Sequence, residues 1–342
     1  DPHRAKESGA DLGLAPDRIY SRFAEMAAAE AQRPDGIEVV SIVTPNDSHH
    51  AIARAFLDRG IDVICDKPMT TTVEDALDLV QTVRRTGLVF GVTHNYTGYP
   101  MVRQAREMIA AGELGAIRVV QVEYVQDWLT TKLEETGQKQ AAWRVDPARA
   151  GAGGSLGDIG THAHNLVGFV TGLPVRELAA DLSRFVPGRR LDDNVHMLLR
   201  FENGARGMLW GSQVAPGNEN GLRLRVYGEK AGLVWSQEHP NQLHFAPVGQ
   251  PPRVLSRGGP NLSSAASRAT RIPSGHPEGY LEAFANLYRD LAEQIRARRA
   301  KRAPDRAALL VPTVEDGAHG VKFIHAAVES SAKNAAWVDL GP

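Results

Sequence analysis

Between residues 37 and 94 the chain alternates between two periodicities, and no other feature limits its fold as much. IEVVSIV (37–43) is a continuous apolar run rich in β-branched residues, bounded by PDG and TPND, and reads as a strand buried on both faces. DSHHAIARAFLDRG then sets Ile52, Ala55 and Phe56 at helical spacing and closes on Gly60. The pattern recurs: IDVIC predicts a strand, TTVEDALDLVQTVRRTG a helix, and LVFGVTH a further strand. Strands joined by crossover helices run parallel, so this part of the chain predicts a doubly wound sheet.

After Tyr99–Pro100 the texture changes. MVRQAREMIAAGELG predicts a helix leading into a long alternating strand, IRVVQVEYVQDW. Further on, VRELAADLSRF, NVHMLLRF, ARGMLWGSQ and LRLRVYG alternate apolar and polar residues, with turns such as ENG (202–204) between them. These predict hairpins and a large, mostly antiparallel sheet in an α+β domain. The expected division is 1–97 and 98–342. The sheet presents a broad face that could pair subunits, so a homo-oligomer, dimer or tetramer, is expected. Residues 129–154 are polar and too long for an ordinary connection, which predicts a functional segment. Residues 249–277, rich in Gly, Pro and Ser, read as an excursion loop before two helices and a short strand, AAWVDL.

Composition removes several classes of function. A formal net charge of -1 gives no global field toward nucleic acid or an anionic membrane. The basic run RARRAKR closes an amphipathic stretch, where cations complement a helix C-terminus. The single cysteine, Cys65, excludes an internal disulfide and lies in an apolar strand. No apolar run approaches the ~20 residues of a membrane span, and DPHRAKESGADLGL lacks a signal peptide's apolar core. A soluble cytoplasmic protein is expected.

Two constellations carry chemistry. In SLGDIGTHAHNLVGFVTG the apolar residues follow helical spacing, and Asp158, His162 and Asn165 fall at i, i+4 and i+7 on one stripe. His164 points about 200° away from His162 on a helix, so H-x-H cannot chelate a metal there; no metal site is expected. An aspartate one turn before a histidine can orient the imidazole and favour its protonated form, as in a general base, or the pair can simply pack. C-D-K-P (65–68) lies where a buried parallel strand ends, beside the TPNDSHH turn (44–50), on the rim where such sheets gather ligands. Lys67 there can stabilise a developing alkoxide, or be a surface lysine before a proline.

V-S-I-V-T-P-N-x-x-H, G-I-D-V-I-C-D-K-P, E-x-x-x-L-V and G-V-x-H-N resemble the glucose–fructose oxidoreductase, inositol dehydrogenase and rhizopine-catabolism (Gfo/Idh/MocA) family. W-R-V-D-P-A-R-A-G-A-G-G-S-L-G-D-I-G-T-H-A-H-N resembles its catalytic segment and P-T-V-E-D-G its C-terminal signature. The resemblance implies a Rossmann-type dinucleotide-binding part, the cofactor NAD or NADP, and catalytic roles for Lys67, Asp158 and His162. It implies cofactor contacts from Thr44, Pro45, Asn46, His49, Asp66, Lys67, Pro68, Asn95, Trp143 and Arg144. Asp66 replaces the family's usual Glu. Asn165 stands where many members have a second aspartate. With Tyr96 and Trp128, Asn165 would suit a hydroxyl-rich substrate. The activity implied is hydride transfer between a cyclic sugar or polyol (inositol-like) hydroxyl and NAD(P), with His162 as base and Lys67 and Asp158 assisting. Its rivals are a non-catalytic sugar-sensing protein of the same fold and redox-assisted elimination or glycoside cleavage.

The family's first strand, its G-x-G-x-x-G turn and its second strand have no counterpart in these 342 residues. That glycine turn cradles the pyrophosphate, so weak or absent dinucleotide binding is expected, along with exposed strand edges and apolar faces. A thermal shift of this chain with NAD measures it; a clear rise in melting temperature would contradict the expectation.

Overall fold

The computed structural model describes residues 1–341; Pro342, the last residue of the expected second domain, lies outside them. Helices α1 (Pro2–Asp11) and α2 (Phe23–Glu30) precede three short strands, β1 (Val39–Ile42), β2 (Asp62–Cys65) and β3 (Phe90–Val92). The strands pair in parallel in the order β1-β2-β3. Helices α3 (His49–Leu57) and α4 (Val73–Thr86) connect them, as the spacing predicts. Local chemistry sets the ends of α4: the Thr72 hydroxyl accepts from the Asp75 amide, and Gly87 takes a left-handed conformation. β2 is buried at every position: Val63, Ile64 and Cys65 are apolar, and the buried Asp62 carboxylate accepts from the Val89 amide and from Arg298. β1 has a partner on one side only among the described residues, and Val43 at its end is 68% exposed.

The second layer begins with α5 (Pro100–Ala110) and β4 (Ile117–Val125). The 129–154 segment, expected as a functional loop, contains two short helices, α6 (Lys139–Arg144) and α7 (Pro147–Ala150). A single π turn, Leu156–Gly160, then opens α8 (Thr161–Thr171), which stops at left-handed Gly172. Strands β5 (Val175–Ser183), β6 (Asn194–Phe201), β7 (Arg206–Ser212), β8 (Gly221–Gly228), β9 (Ala231–Ser236), β10 (Gln242–Pro247) and β11 (Arg253–Ser256) follow. With β12 (Val338–Asp339) they build a nine-stranded sheet, β11-β10-β9-β8-β4-β7-β6-β5-β12. Its pairings are antiparallel apart from β4 with β7. The protein is therefore α/β with a parallel Rossmann-like sheet and a larger, mostly antiparallel one. Residues 249–277 are not a plain excursion loop: they hold β11 and α9 (Ser264–Ala269). Their Gly and Pro content hides this from periodicity, because both elements are too short to show a period.

The long helices α10 (Tyr280–Arg299) and α11 (Val314–Ala332) return to the parallel sheet. Leu287 and Leu291 of α10 pack with Ile64, and an added Cβ on Gly91 would lie 2.5 Å from Leu291, so β3 needs glycine there. Val314, Ala318 and Val321 of α11 join the core of the parallel sheet, whereas Phe323, Ile324 and Ala327 join that of the large sheet. Residues 312–313 also close the β3 edge, with the Val92 amide donating to the Pro312 carbonyl at 2.8 Å. The parallel sheet lies within residues 39–92 and the large sheet within residues 117–339, while α11 contributes to the cores of both.

Candidate active site

The three parallel strands end on one rim, and the turns after them carry Thr44 and Asn46, Asp66 and Lys67, and Thr93 and Asn95. Against this rim lie the π turn, the start of α8 and the end of β4, enclosing a cavity of about 1000 Å³. Open α/β sheets place their ligands at this end. Lys67, Asp158 and His162 all line it.

Lys67 Nζ donates to Asp158 Oδ1 at 3.0 Å and also to the Asp158 main-chain carbonyl. The side chains are only 15% and 17% exposed. Asp158 Oδ2 accepts from Gln213 Nε2 at 2.8 Å, and Arg144 Nε lies 3.2 Å away. Burial opposes ionisation of Asp158, but Lys67 and Arg144 outweigh it and hold the carboxyl below the usual range.

His162 is 8% exposed, and its Nδ1 has no hydrogen-bond partner. Its ring lies edge-on to His94 at 5.3 Å and to Tyr96 at 4.9 Å. Burial first, and the charge of Lys67 second, push the imidazole well below its ordinary pKa. The expected orienting bond from Asp158, favouring the protonated form, is therefore not what the structure shows. The carboxylate is committed to Lys67, Arg144 and Gln213, and burial together with the charge of Lys67 disfavours the protonated imidazole.

The other sequence-predicted residues divide. Thr44, Pro45, Asn46, Asp66, Asn95, Trp143 and Arg144 line the cavity, as do Tyr96 and Trp128. Asn95 Nδ2 is buried there without a partner. The Arg144 guanidinium sits 4.3 Å over the Trp143 ring. Asn46 Nδ2 donates to the Ala150 carbonyl at 2.9 Å, docking α7 on the rim. His49 and Pro68 lie behind the wall rather than on it; His49 is fully buried with both ring nitrogens engaged. The Lys67–Pro68 bond is cis. Asn165 does not line the cavity, because three residues of helix carry it ~4.5 Å further from the rim than His162. His164 faces away, stacked 4.1 Å from the Phe323 ring.

Several contributors have no signal in the sequence. Gln213 is 55 residues from Asp158, at the end of an ordinary strand run. Tyr96 and Tyr124 share a hydroxyl–hydroxyl hydrogen bond, and Tyr124 donates on to Asn220 Oδ1 at 2.7 Å. Asp192 accepts from the Gly154 and Leu156 amides at 2.6 and 2.8 Å and from the Ser155 hydroxyl at 2.7 Å, fixing the entry to the π turn. A Cβ on Gly154 would lie 2.1 Å from the Asp192 carbonyl, so this approach needs glycine.

Comparison with known proteins agrees with this architecture. Residues 1–94 match the model described as "Oxidoreductase family, NAD-binding Rossmann fold", and residues 102–234 match the "GFO/IDH/MocA C-terminal domain". An oxidoreductase of Sinorhizobium meliloti is 53% identical, with a TM-score of 0.88 over 98% of this chain and 89% of that one. An inositol dehydrogenase homolog of Azotobacter vinelandii, solved with NAD+, is 40% identical, with a TM-score of 0.93 over 99% and 87%. The same homolog was also solved with NADH and myo-inositol. The uncharacterized oxidoreductase YfiI of Bacillus subtilis is 36% identical over 99% of this chain and 87% of its own.

Acid should unfold the protein through its buried imidazoles. Burial is the first cause holding His94 to about 3 and His164 to about 4, and it also lowers His162. Below pH 6.5 the unfolded chain binds these protons and the folded chain does not, so stability falls as pH falls. Each group contributes up to about 1.4 kcal/mol per pH unit until its folded pKa is reached. Urea denaturation at pH 7.5, 6.0 and 5.0 measures this; a flat profile would show that these rings are not held neutral.

Proposed function

The chain belongs to the GFO/IDH/MocA oxidoreductase family, whose members are NAD(P)-dependent dehydrogenases acting on sugars and polyols, and from that premise we propose a specific reaction. The substrate is a cyclic, inositol-like polyol or sugar, and the protein oxidises one of its ring hydroxyls. The observation that carries this is a neutral imidazole, with an unpartnered Nδ1, on the same cavity as a lysine pinned by a carboxylate.

A bound nicotinamide dinucleotide supplies the hydride acceptor. The cavity suits one: the buried, unpartnered Asn95 Nδ2 offers a donor, and Trp143 with the stacked Arg144 offers an aromatic and cationic wall. Thr44, Pro45, Asn46 and Asp66 are the remaining residues that would hold it, with His49 and Pro68 supporting them from behind. His162, already neutral, takes the proton of the substrate hydroxyl. Lys67 has three N–H donors, of which two go to Asp158, and the third stabilises the alkoxide-like oxygen. Asp158 keeps Lys67 charged and aimed; it acts on the lysine rather than on His162. Tyr96 and Trp128 offer surface to a hydroxyl-rich ring.

The large sheet presents Leu198, Met208 and Tyr227 to solvent, with Leu198 directly opposite Met208 on the neighbouring strand. This exposed face pairs subunits of a homo-oligomer.

Two measurements test these proposals. With a polyol panel and saturating cofactor, absorbance of the reduced nicotinamide should report turnover. His162→Ala should lower kcat by about 10²–10⁴-fold. Because the His162 pKa is depressed, the acid limb of kcat/KM should lie below pH 6.5. Retained activity in the variant would remove His162 from the reaction. Light scattering should show an oligomer that Met208→Asp dissociates; a monomeric parent chain would overturn the pairing.

A further inference from the structure

His49 is the first residue of α3 and is completely buried, yet it is polar at both ends. Its Nε2 lies 2.7 Å from the Thr44 carbonyl oxygen, and its Nδ1 lies 2.9 Å from that of Pro68. A carbonyl oxygen only accepts, and a neutral imidazole carries one N–H and one lone pair. In either neutral tautomer one of these contacts would set a lone pair against a lone pair at hydrogen-bond distance. Only the imidazolium donates both ways. We propose that His49 is held doubly protonated and is a positioning residue, tying the Thr44–Asn46 turn to the turn that carries Lys67.

The surroundings leave this charge to the two carbonyl dipoles. Asp47, on the preceding turn, sits 3.9 Å from Arg149. On α3 and α4, His50 takes Asp75 and Asp78, and Arg54 also takes Asp78. Glu30 of α2 is engaged by Arg18, Tyr20 and the Ile37 amide. At the end of β2, Asp66 accepts from Thr93, Lys67 goes to Asp158, and the buried Cys65 thiol faces main-chain carbonyls. His325 of α11 reaches the Thr71 carbonyl. Among the described residues no carboxylate stands within ion-pair distance of His49.

Loss of one proton therefore replaces a two-ended tie by a one-ended one, and the two rim turns separate. Through Lys67 this sets the lysine's reach into the cavity. That last consequence rests on the role proposed for Lys67; the protonation state and the tie do not.

The test uses the full chain labelled with ¹⁵N-histidine. Long-range proton–nitrogen spectra at pH 7 should show one imidazole with both nitrogens protonated, and that signal should be missing from His49→Gln. Glutamine donates from one end only, so it breaks the tie. In parallel, amide exchange of peptides covering 66–71 at pH 7 should be faster in His49→Gln than in the parent chain, because one end of the tie is lost. A His49 ring with one bare nitrogen at pH 7, or unchanged protection in His49→Gln, would overturn the proposal. Should His49→Gln fail to fold, the parent spectrum alone decides. Failure of the dehydrogenase reading would leave all of these signals in place.

Discussion

The ion pair between Lys67 and Asp158 is the joint on which the site depends. One partner ends a strand of the parallel sheet and the other sits in the π turn that opens α8. A partly buried pair of this kind is tolerable only when its remaining donors and acceptors are met, since desolvation of either ion costs several kcal/mol. Here the carboxylate is met on both oxygens, Oδ2 by Gln213 and Arg144, and the lysine spends two of its three donors on Asp158. The pair therefore fixes the distance between the rim and α8. It also sets the local field, because the charge of Lys67 lies close enough to depress both His162 and His94.

Much of this was legible from periodicity. The strands of the parallel sheet, their helices and the stop at Gly172 follow from spacing and from glycine, because those signals are local. So does the shared orientation of Asp158 and His162, four residues apart. The π turn was not legible: it has the composition of a helix and differs only in hydrogen bonding. Asn165 reads as part of the stripe because spacing gives an angle and not a depth.

What the sequence conceals is pairing across long separations. Nothing near Gln213 or Asp192 marks them, yet one saturates Asp158 and the other holds three groups at the entry to the π turn. His49 shows a second limit: its motif points to the rim, where the side chain is fully buried between the Thr44 and Pro68 carbonyls. A motif fixes where the backbone goes; only packing decides what the side chain meets.

α11 contributes side chains to both hydrophobic cores along one continuous helix. A rigid rod shared by two sheets acts as a splint, so large rocking of one sheet against the other would have to tear hydrocarbon out of one core.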